Sequence, residues 1–118
     1  MTTMLVLRTI LGMKPAEFAE KFACTGAYIS AIENGTRSMK FQTLCYGLNN
    51  LGISYDRYLE LDSFVNSIAN EELDEQNKRK LMMFKAMSIT ETDEEVKKKY
   101  DDLIEMIINA KTQKRGGR

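Results

Sequence analysis

The side chains that could support covalent or metal chemistry are few in this chain. Its 118 residues contain no His, so neither an imidazole base nor an imidazole metal ligand is available. Cys24 and Cys45 lie too far apart in sequence for the CxxC spacing of zinc and redox motifs. Two isolated thiols fit a reducing cytosol, where cysteines act as small buried hydrophobic residues. We therefore expect no catalytic residues, no metal and no cofactor, and we do not expect an enzyme.

The composition favours an all-α fold. One Pro and seven Gly provide too little turn chemistry for a sheet of many strands. With 43% apolar and 29% charged residues, the chain can build one domain, or one small domain with a helical appendage. No apolar run approaches the ~20 residues that a membrane span needs, so we expect a cytoplasmic protein. The 17 basic and 17 acidic residues cancel, and this balance lacks the electrostatic signature of a nucleic-acid-binding protein.

Closely spaced turn residues divide the first 60 residues into short helices. Pro15 suits the first position of a helix, Thr25 is a typical N-cap, and Gly35 can take the left-handed conformation that ends a helix. The predicted helices are 4–11, one that opens at Pro15, 26–33, 41–51, and a short one after Ser54 that turns Tyr55, Tyr58 and Leu59 inward. Only residues 23–25 connect the second and third helices, and this short connection predicts a helix-turn-helix motif.

Three sequence elements stand at fixed spacing around this motif. Gly12-Met13 precedes the second helix, Phe18-Ala19 lies inside it, and the run Ile-Ser-Ala-Ile-Glu-Asn-Gly at 29–35 closes the third. In these elements residues 7–59 resemble the Xre/Cro/cI family of helix-turn-helix DNA-binding proteins, which includes many phage repressors. The resemblance implies a five-helix, lambda-repressor-like DNA-binding domain at 1–60.

One charged residue inside an apolar stretch needs a partner. Arg8 lies among the apolar residues of the first predicted helix, where an unpaired charge would be unfavourable. The resemblance implies that Arg8 pairs with Glu33, the acidic residue that ends the third helix, and a bidentate carboxylate would suit the guanidinium. The alternative is that the two charges are solvated separately.

The resemblance also implies which residues face DNA, because such proteins place the start of helix 3 in the major groove and neighbouring residues on phosphates. The implied DNA-binding residues are Lys14, Thr25, Gly26, Ala27, Tyr28, Ser30, Asn34, Thr36, Arg37, Ser38 and Lys40. The start of helix 3 lacks the Arg, Lys, Gln or Asn that read bases bidentately, and Pro15 stands where many relatives carry Gln. Tyr28 can bond a base edge or a phosphate, and Ala27 can contact a thymine methyl. Arg37 and Lys40 are the main candidates for phosphate contacts.

Residues 61–112 are expected to form a helical dimerisation region. A short helix at 62–69 would precede helices at 74–88 and after an N-cap at Thr92, and apolar residues of the last helix recur with heptad spacing. Because a two-helix hairpin is too small to bury this surface alone, a second chain would complete a homodimer. The expected dimer-interface residues are Phe84, Met87, Val96, Tyr100, Leu103, Ile104, Ile107 and Ile108.

The alternative for these C-terminal helices is that they fold back onto their own N-terminal domain. Residues 113–118 are expected to be a basic flexible tail. A DNA-binding head followed by a helical multimerisation hairpin resembles the layout of compact bacterial and phage regulators of the SinR type.

Two functions of different classes follow from these expectations. The first is a sequence-specific transcriptional regulator, a dimeric repressor that binds double-stranded DNA at an inverted repeat through helix 3. The second is a protein-interaction factor, an antitoxin or a phage or plasmid inhibitor of a host protein, built on the same scaffold. The family resemblance favours the first function. Pro15, the small side chains at the start of helix 3 and the neutral net charge favour the second.

Overall fold

The computed structural model describes the backbone of residues 1–116 and the side chains of residues 1–110. The described backbone contains helices and connecting turns but no strand, which confirms the expected all-α class. None of the described helices is both long and apolar enough to cross a membrane. The seven described helices are α1 (Thr3–Leu11), α2 (Pro15–Lys21), α3 (Gly26–Glu33), α4 (Phe41–Leu51), α5 (Tyr55–Ala69), α6 (Glu75–Thr90) and α7 (Glu94–Gly116).

Five of these helices, α7 included, begin at a side chain that accepts a hydrogen bond from an N–H of the first turn. Thr25 and Ser54 cap α3 and α5 in this way, as the sequence predicts. Thr2 and Asp74 do the same for α1 and α6. Each cap satisfies a backbone donor that the helix itself leaves unpaired, which is why the helix starts are set by local sequence.

The start of α7 differs from the prediction. The expected cap at Thr92 is wrong, because Oδ1 of Asp93 accepts from the N–H groups of Glu95 and Val96 at 2.9 and 3.3 Å. A carboxylate is a stronger acceptor than a hydroxyl, and its charge also interacts favourably with the helix dipole. The helix therefore starts one residue later than a cap at Thr92 would place it.

α5 is one helix of 15 residues, where the sequence predicts two short helices. No Gly or Pro interrupts it, and Leu61, Val65 and Ile68 form one buried stripe at helical spacing. The predicted boundary at residue 60 therefore falls inside a helix. The inward orientation predicted for Tyr55 and Leu59 is wrong, since both are 39% exposed. At 100° per residue, the stripe that contains Leu61 turns both of them away from the core.

The buried side chains of the two halves of the chain belong to one core. α6 packs against α1 and α5, and α7 packs against α6. Val6 and Leu7 of α1, Leu61 of α5, and Leu81 and Ile89 of α6 are at most 1% exposed. The chain's own N-terminal helices thus cover the apolar face of α6. This is the fold-back arrangement that the sequence left open as an alternative.

Partly buried polar contacts join the C-terminal helices to each other and to α5. Ser88 is fully buried; its hydroxyl donates to Oδ1 of Asp101 at 2.7 Å and accepts from Nζ of Lys97 at 3.1 Å, which joins α6 to α7. Nη1 of Arg57 in α5 donates to two main-chain carbonyl oxygens at the end of α6, at 3.0 Å each. Because an unpaired buried polar group is unfavourable, these bonds favour one arrangement of the three helices.

Candidate nucleic-acid interface

Residues 22–25 join α2 to α3 in a tight turn, close to the connection that the sequence predicts. The N–H groups of Ala23 and Cys24 donate to the carbonyl oxygens of Glu20 and Ala19 at 3.0 and 3.1 Å, which ends α2. Ala23 has a φ of 53°, a left-handed conformation that is unfavourable for a residue with a Cβ. The connection between α2 and α3 is therefore short, and its backbone is strained at Ala23.

α3 buries one face and exposes the other. Ile29 and Ile32 are 0% and 7% exposed and pack into the core, whereas Gly26, Ala27 and Ser30 are exposed. The spacing of these three predicted DNA-binding residues places them on one side of the helix. This side has no charge and no long side chain, so another surface can approach the backbone of α3 closely.

Tyr28 contacts the loop that follows α3, which comprises residues 34–40 and is called the α3–α4 loop below. Its hydroxyl accepts a hydrogen bond from the N–H of Lys40 at 3.1 Å. The guanidinium carbon of Arg37 lies over the Tyr28 ring, 4.7 Å from the ring centroid. Tyr28 is partly buried, while Arg37 and Lys40 are exposed. The structure thus brings three of the predicted DNA-binding residues together around one aromatic ring.

The hydroxyls of two predicted DNA-binding residues are already engaged near the ends of α3. Oγ1 of Thr25 accepts the capping bond at the start of the helix, at 3.0 Å. The hydroxyl of Thr36 donates to the carbonyl oxygen of Ala31 at 3.1 Å, so its proton is not available to a phosphate in this arrangement. Asn34 and Ser38 are exposed and lie in the α3–α4 loop.

Lys14 is the remaining predicted DNA-binding residue, and it lies at the N-terminus of α2. Its backbone N–H donates to Oε1 of Glu17 at 2.9 Å, and both residues are exposed. Glu20 on the same short helix is exposed as well. Lys14 therefore adjoins a helix that contains two exposed acidic residues, whereas the α3–α4 loop contains Arg37 and Lys40 and no acidic residue.

Arg8 and Glu33 form the ion pair that the sequence predicts. Nε of Arg8 lies 2.6 Å from Oε2 of Glu33, and Nη2 donates to Oε1 at 3.0 Å, so the contact is bidentate. Nη1 of Arg8 also donates to the carbonyl oxygen of Met13 at 3.1 Å. The hydrogen bond to Glu33 is the main reason that the pKa of Arg8 is raised; the charge of Glu33 adds to this effect, and burial opposes it. The pair ties α1 to the C-terminal end of α3.

Thr2 contributes a second contact between α1 and α3, which sequence reasoning missed. Its hydroxyl donates to the carbonyl oxygen of Glu33 at 3.0 Å while Oγ1 caps α1. A Thr just before an apolar helical run was the available signal for the cap. The contact to Glu33 depends on tertiary structure and has no sequence signal.

The predicted dimer-interface residues differ in exposure. Ile104 is 7% exposed and packs into the chain's own core, so it is not available to a second chain. Leu103 and Ile108 are 39% and 36% exposed, and the neighbouring Met106 is 65% exposed. The other predicted interface residues are partly buried: Phe84, Met87, Val96, Tyr100 and Ile107. An apolar surface on α7 thus remains exposed after the fold-back of α6.

An exposed aromatic pair lies on α4 and α5, although the sequence predicts that one member, Tyr55, turns inward. Phe41 is 61% exposed and contacts Tyr55 edge-on, with ring centroids 5.3 Å apart. Tyr46 on α4 is 55% exposed. These aromatic side chains are a second surface to which a partner could bind.

The described side chains offer few groups for other chemistry. Cys24 and Cys45 are free and partly buried, and burial raises the pKa of the Cys24 thiol, which makes the thiolate less available. Within residues 1–110, no group of three or more His, Cys, Asp or Glu side chains is arranged to hold a metal ion. The basic tail predicted at 113–118 lies outside the residues whose side chains are described.

Comparisons of the chain with family models, curated proteins and solved structures find no match. The geometry of α2, α3 and the α3–α4 loop is therefore the basis for assigning a function.

Proposed function

We propose that the chain is a DNA-binding transcriptional regulator with a lambda-repressor-like head made of its first five helices. In this proposal α2 and α3 form a helix-turn-helix, and the exposed side of α3 enters the major groove. The observation that carries the proposal is a small, uncharged, exposed side of α3 next to a loop whose two cationic residues, Arg37 and Lys40, contact Tyr28 of the same helix. The resemblance of residues 7–59 to the Xre/Cro/cI family supports the same function.

The small side chains of α3 favour close contact over bidentate base reading. Gly26, Ala27 and Ser30 let the helix backbone approach the base edges, where the Ala27 methyl can pack on a thymine methyl and Ser30 can hydrogen-bond. A protein with such a helix would obtain much of its selectivity from groove shape and duplex deformability. Its affinity would come from phosphate contacts of the residues around α3, chiefly Arg37 and Lys40 in the α3–α4 loop.

Charge arithmetic supports binding as a homodimer. Residues 1–60 contain six basic and five acidic residues, which leaves a net charge of +1. A head with so little positive charge gains few phosphate contacts, and linking two heads raises the overall affinity without new contacts. We propose that the exposed residues Leu103 and Met106 of α7 form the dimer contact, so that two heads bind an inverted repeat as a repressor.

Binding to DNA is tested by fluorescence anisotropy with a duplex from the region upstream of the chain's own coding sequence, at several salt concentrations. The double variant R37A/K40A removes two proposed phosphate contacts from each head, four in the dimer, so the slope of log K against log salt falls in magnitude by about 4 and affinity falls about tenfold or more. The matched control K80A/K98A removes two exposed cations of α6 and α7 and leaves both quantities unchanged. Absence of binding by the folded wild type at low salt would contradict the proposal.

The dimer is tested separately by light scattering. Replacing both Leu103 and Met106 with Lys puts two charges on the exposed surface of α7 and is expected to give monomers with an unchanged helical content. Because half of the contact to an inverted repeat is then lost, DNA affinity falls as well. A variant that stays dimeric would show that the contact lies elsewhere.

The second candidate function is that of a protein-interaction factor, which the exposed aromatic pair favours. Phe41 and Tyr55 lie on the head and are available to a partner protein, and aromatic residues are enriched in protein interfaces. A pull-down that yields one stoichiometric partner from the wild type and none from F41S, combined with no DNA binding, would favour this function over the first.

A further inference from the structure

We infer that Tyr28 is a positioning residue, which holds Arg37 and the backbone of Lys40 in place as one site for a DNA phosphate, and that it does not read a base. The inference rests on the proposed DNA-binding function and assigns a role within that interface. It differs from the expectation drawn from the sequence, in which Tyr28 itself reaches a base edge or a phosphate.

Tyr28 contacts both the Arg37 side chain and the Lys40 backbone. The α3–α4 loop contains Arg37 and Lys40 three residues apart, and an exposed loop would by itself leave both side chains free to adopt many rotamers. Tyr28 reaches the loop through two parts of one side chain. Its ring lies beneath the Arg37 guanidinium, at 4.7 Å, and its hydroxyl accepts from the Lys40 N–H, at 3.1 Å. One partly buried residue of α3 therefore fixes the loop at two points.

The arrangement leaves donors available for an anion. A cation–π contact does not consume the guanidinium N–H groups of Arg37, which remain free to form the forked hydrogen bonds that suit phosphate oxygens. Lys40 is exposed, and Tyr28 engages its backbone N–H and not its side chain. The Tyr28 hydroxyl also keeps its own proton, since it acts as the acceptor in its bond with Lys40. The exposed residues Arg37 and Lys40 thus supply donors and two positive charges from one loop.

Tyr28, Arg37 and Lys40 lie next to the exposed side of α3. Tyr28 lies in the first half of α3, next to Ala27, which is exposed on the side proposed to enter the groove. A phosphate bound by Arg37 and Lys40 would fix the register of α3 in the groove without any contact between Tyr28 and a base.

Positioning and base reading predict different results for variants of Tyr28. Loss of a base-reading residue relaxes selectivity at one base pair, whereas loss of a residue that organises phosphate contacts weakens binding to every duplex alike and lowers the salt dependence. Coupling to Arg37 adds a second distinction. If Tyr28 acts through Arg37, then removing Arg37 from a protein that already lacks the Tyr28 ring changes little further.

The experiment measures affinity and salt dependence for wild type, Y28L, Y28F, R37A and Y28L/R37A with two unrelated duplexes. We expect Y28L to bind both duplexes about five- to tenfold more weakly, with the salt slope lower in magnitude by about 2, since each head of the dimer loses one organised contact. Y28F keeps the ring contact and loses only the bond to Lys40, so its affinity falls about twofold. The double variant binds as Y28L does, within about twofold. Y46L replaces an exposed tyrosine of α4 as the matched control and leaves the effect of R37A unchanged.

The possible results separate the inference from the function on which it rests. Failure of the wild type to bind either duplex at low salt overturns both. Binding by the wild type, with full additivity of Y28L and R37A or with loss of affinity for only one duplex, overturns the inference alone. Should Y28L lose its cooperative thermal transition, Y28F and R37A decide the question, because an unchanged affinity of both would contradict the positioning role.

Discussion

Removing the carboxylate of Glu33 is expected to destabilise the chain by about 3 kcal/mol. The side chains of Arg8 and Glu33 are 19% and 9% exposed and are joined by two hydrogen bonds of 2.6 and 3.0 Å. Loss of one partner from a buried pair is unfavourable by about 3–5 kcal/mol, because the other charge stays behind without compensation. We take the lower end of this range because Arg8 keeps some contact with solvent and its bond to the carbonyl oxygen of Met13.

Thermal unfolding of E33A, followed by circular dichroism, measures this loss. With an unfolding entropy of about 2 cal/mol/K per residue over 118 residues, about 3 kcal/mol corresponds to a decrease in Tm of about 12 °C. Glu33→Gln keeps the shape and one acceptor but not the charge, so it should lose about half as much. The matched control is D102A, which removes the carboxylate of an exposed pair with Lys98 and should change stability by no more than about 0.5 kcal/mol.

The comparison with the control decides whether burial of the pair matters. A decrease in Tm for E33A no larger than that for D102A would refute the reasoning, because the geometry of the pair would then contribute nothing beyond a surface contact.

Three further predictions concern the turn, the core and the pH dependence. Ala23→Gly should raise stability by about 1 kcal/mol, because Gly adopts the φ of 53° without strain; a lower Tm would contradict this. Gly47→Ala should lower stability by about 3 kcal/mol, because the added Cβ would overlap the ring of Phe22, and an unchanged urea midpoint would refute the packing. Burial, with smaller contributions from Asp62 and a neighbouring tyrosine, raises the pKa of Tyr58 to about 12. The fold disfavours its deprotonated form, so its stabilising effect is complete below pH ~10 and is lost as pH rises towards 12. Urea unfolding of Tyr58→Phe should therefore show a smaller loss between pH 10 and 12, and an equal loss would contradict the assignment.

Local chemistry explains why the sequence predicts the first four helices well. Pro15 opens α2 because its ring fixes φ and its missing N–H has no partner in a first turn. Thr25 caps α3 through a bond to a residue three positions away. Both effects act within one turn of helix, so they can be recognised without knowledge of tertiary structure.

Tertiary packing explains what the sequence does not predict in the second half. The periodic apolar residues of α7 indicate that one side is covered, but the same pattern serves a second chain or the chain's own α6. Ile104 is buried against the chain's own core, while Leu103 beside it stays exposed. Only the packing of α6 on α1 and α5 distinguishes these outcomes, and this packing joins residues far apart in sequence.

The role of Tyr28 shows the same limit at the candidate site. Its type and position on α3 suit a residue that reaches DNA. Its partner Lys40 lies 12 residues away, across the α3–α4 loop, and no periodicity relates the two residues. A sequence pattern can therefore place Tyr28 in the proposed interface, while its contacts, and hence its proposed role, follow from the folded loop.

Insertion of α3 into the major groove is tested most directly by the affinity of Ala27→Glu for the upstream duplex. Ala27 is exposed in the first turn of α3, so a carboxylate there leaves the core intact and even interacts favourably with the helix dipole. If α3 enters the groove, this charge meets the DNA at close range and affinity falls about 100-fold or more, while the control Ala69→Glu, an exposed position at the end of α5, binds with no more than a twofold change. Equal affinities of Ala27→Glu and wild type would show that α3 does not contact DNA.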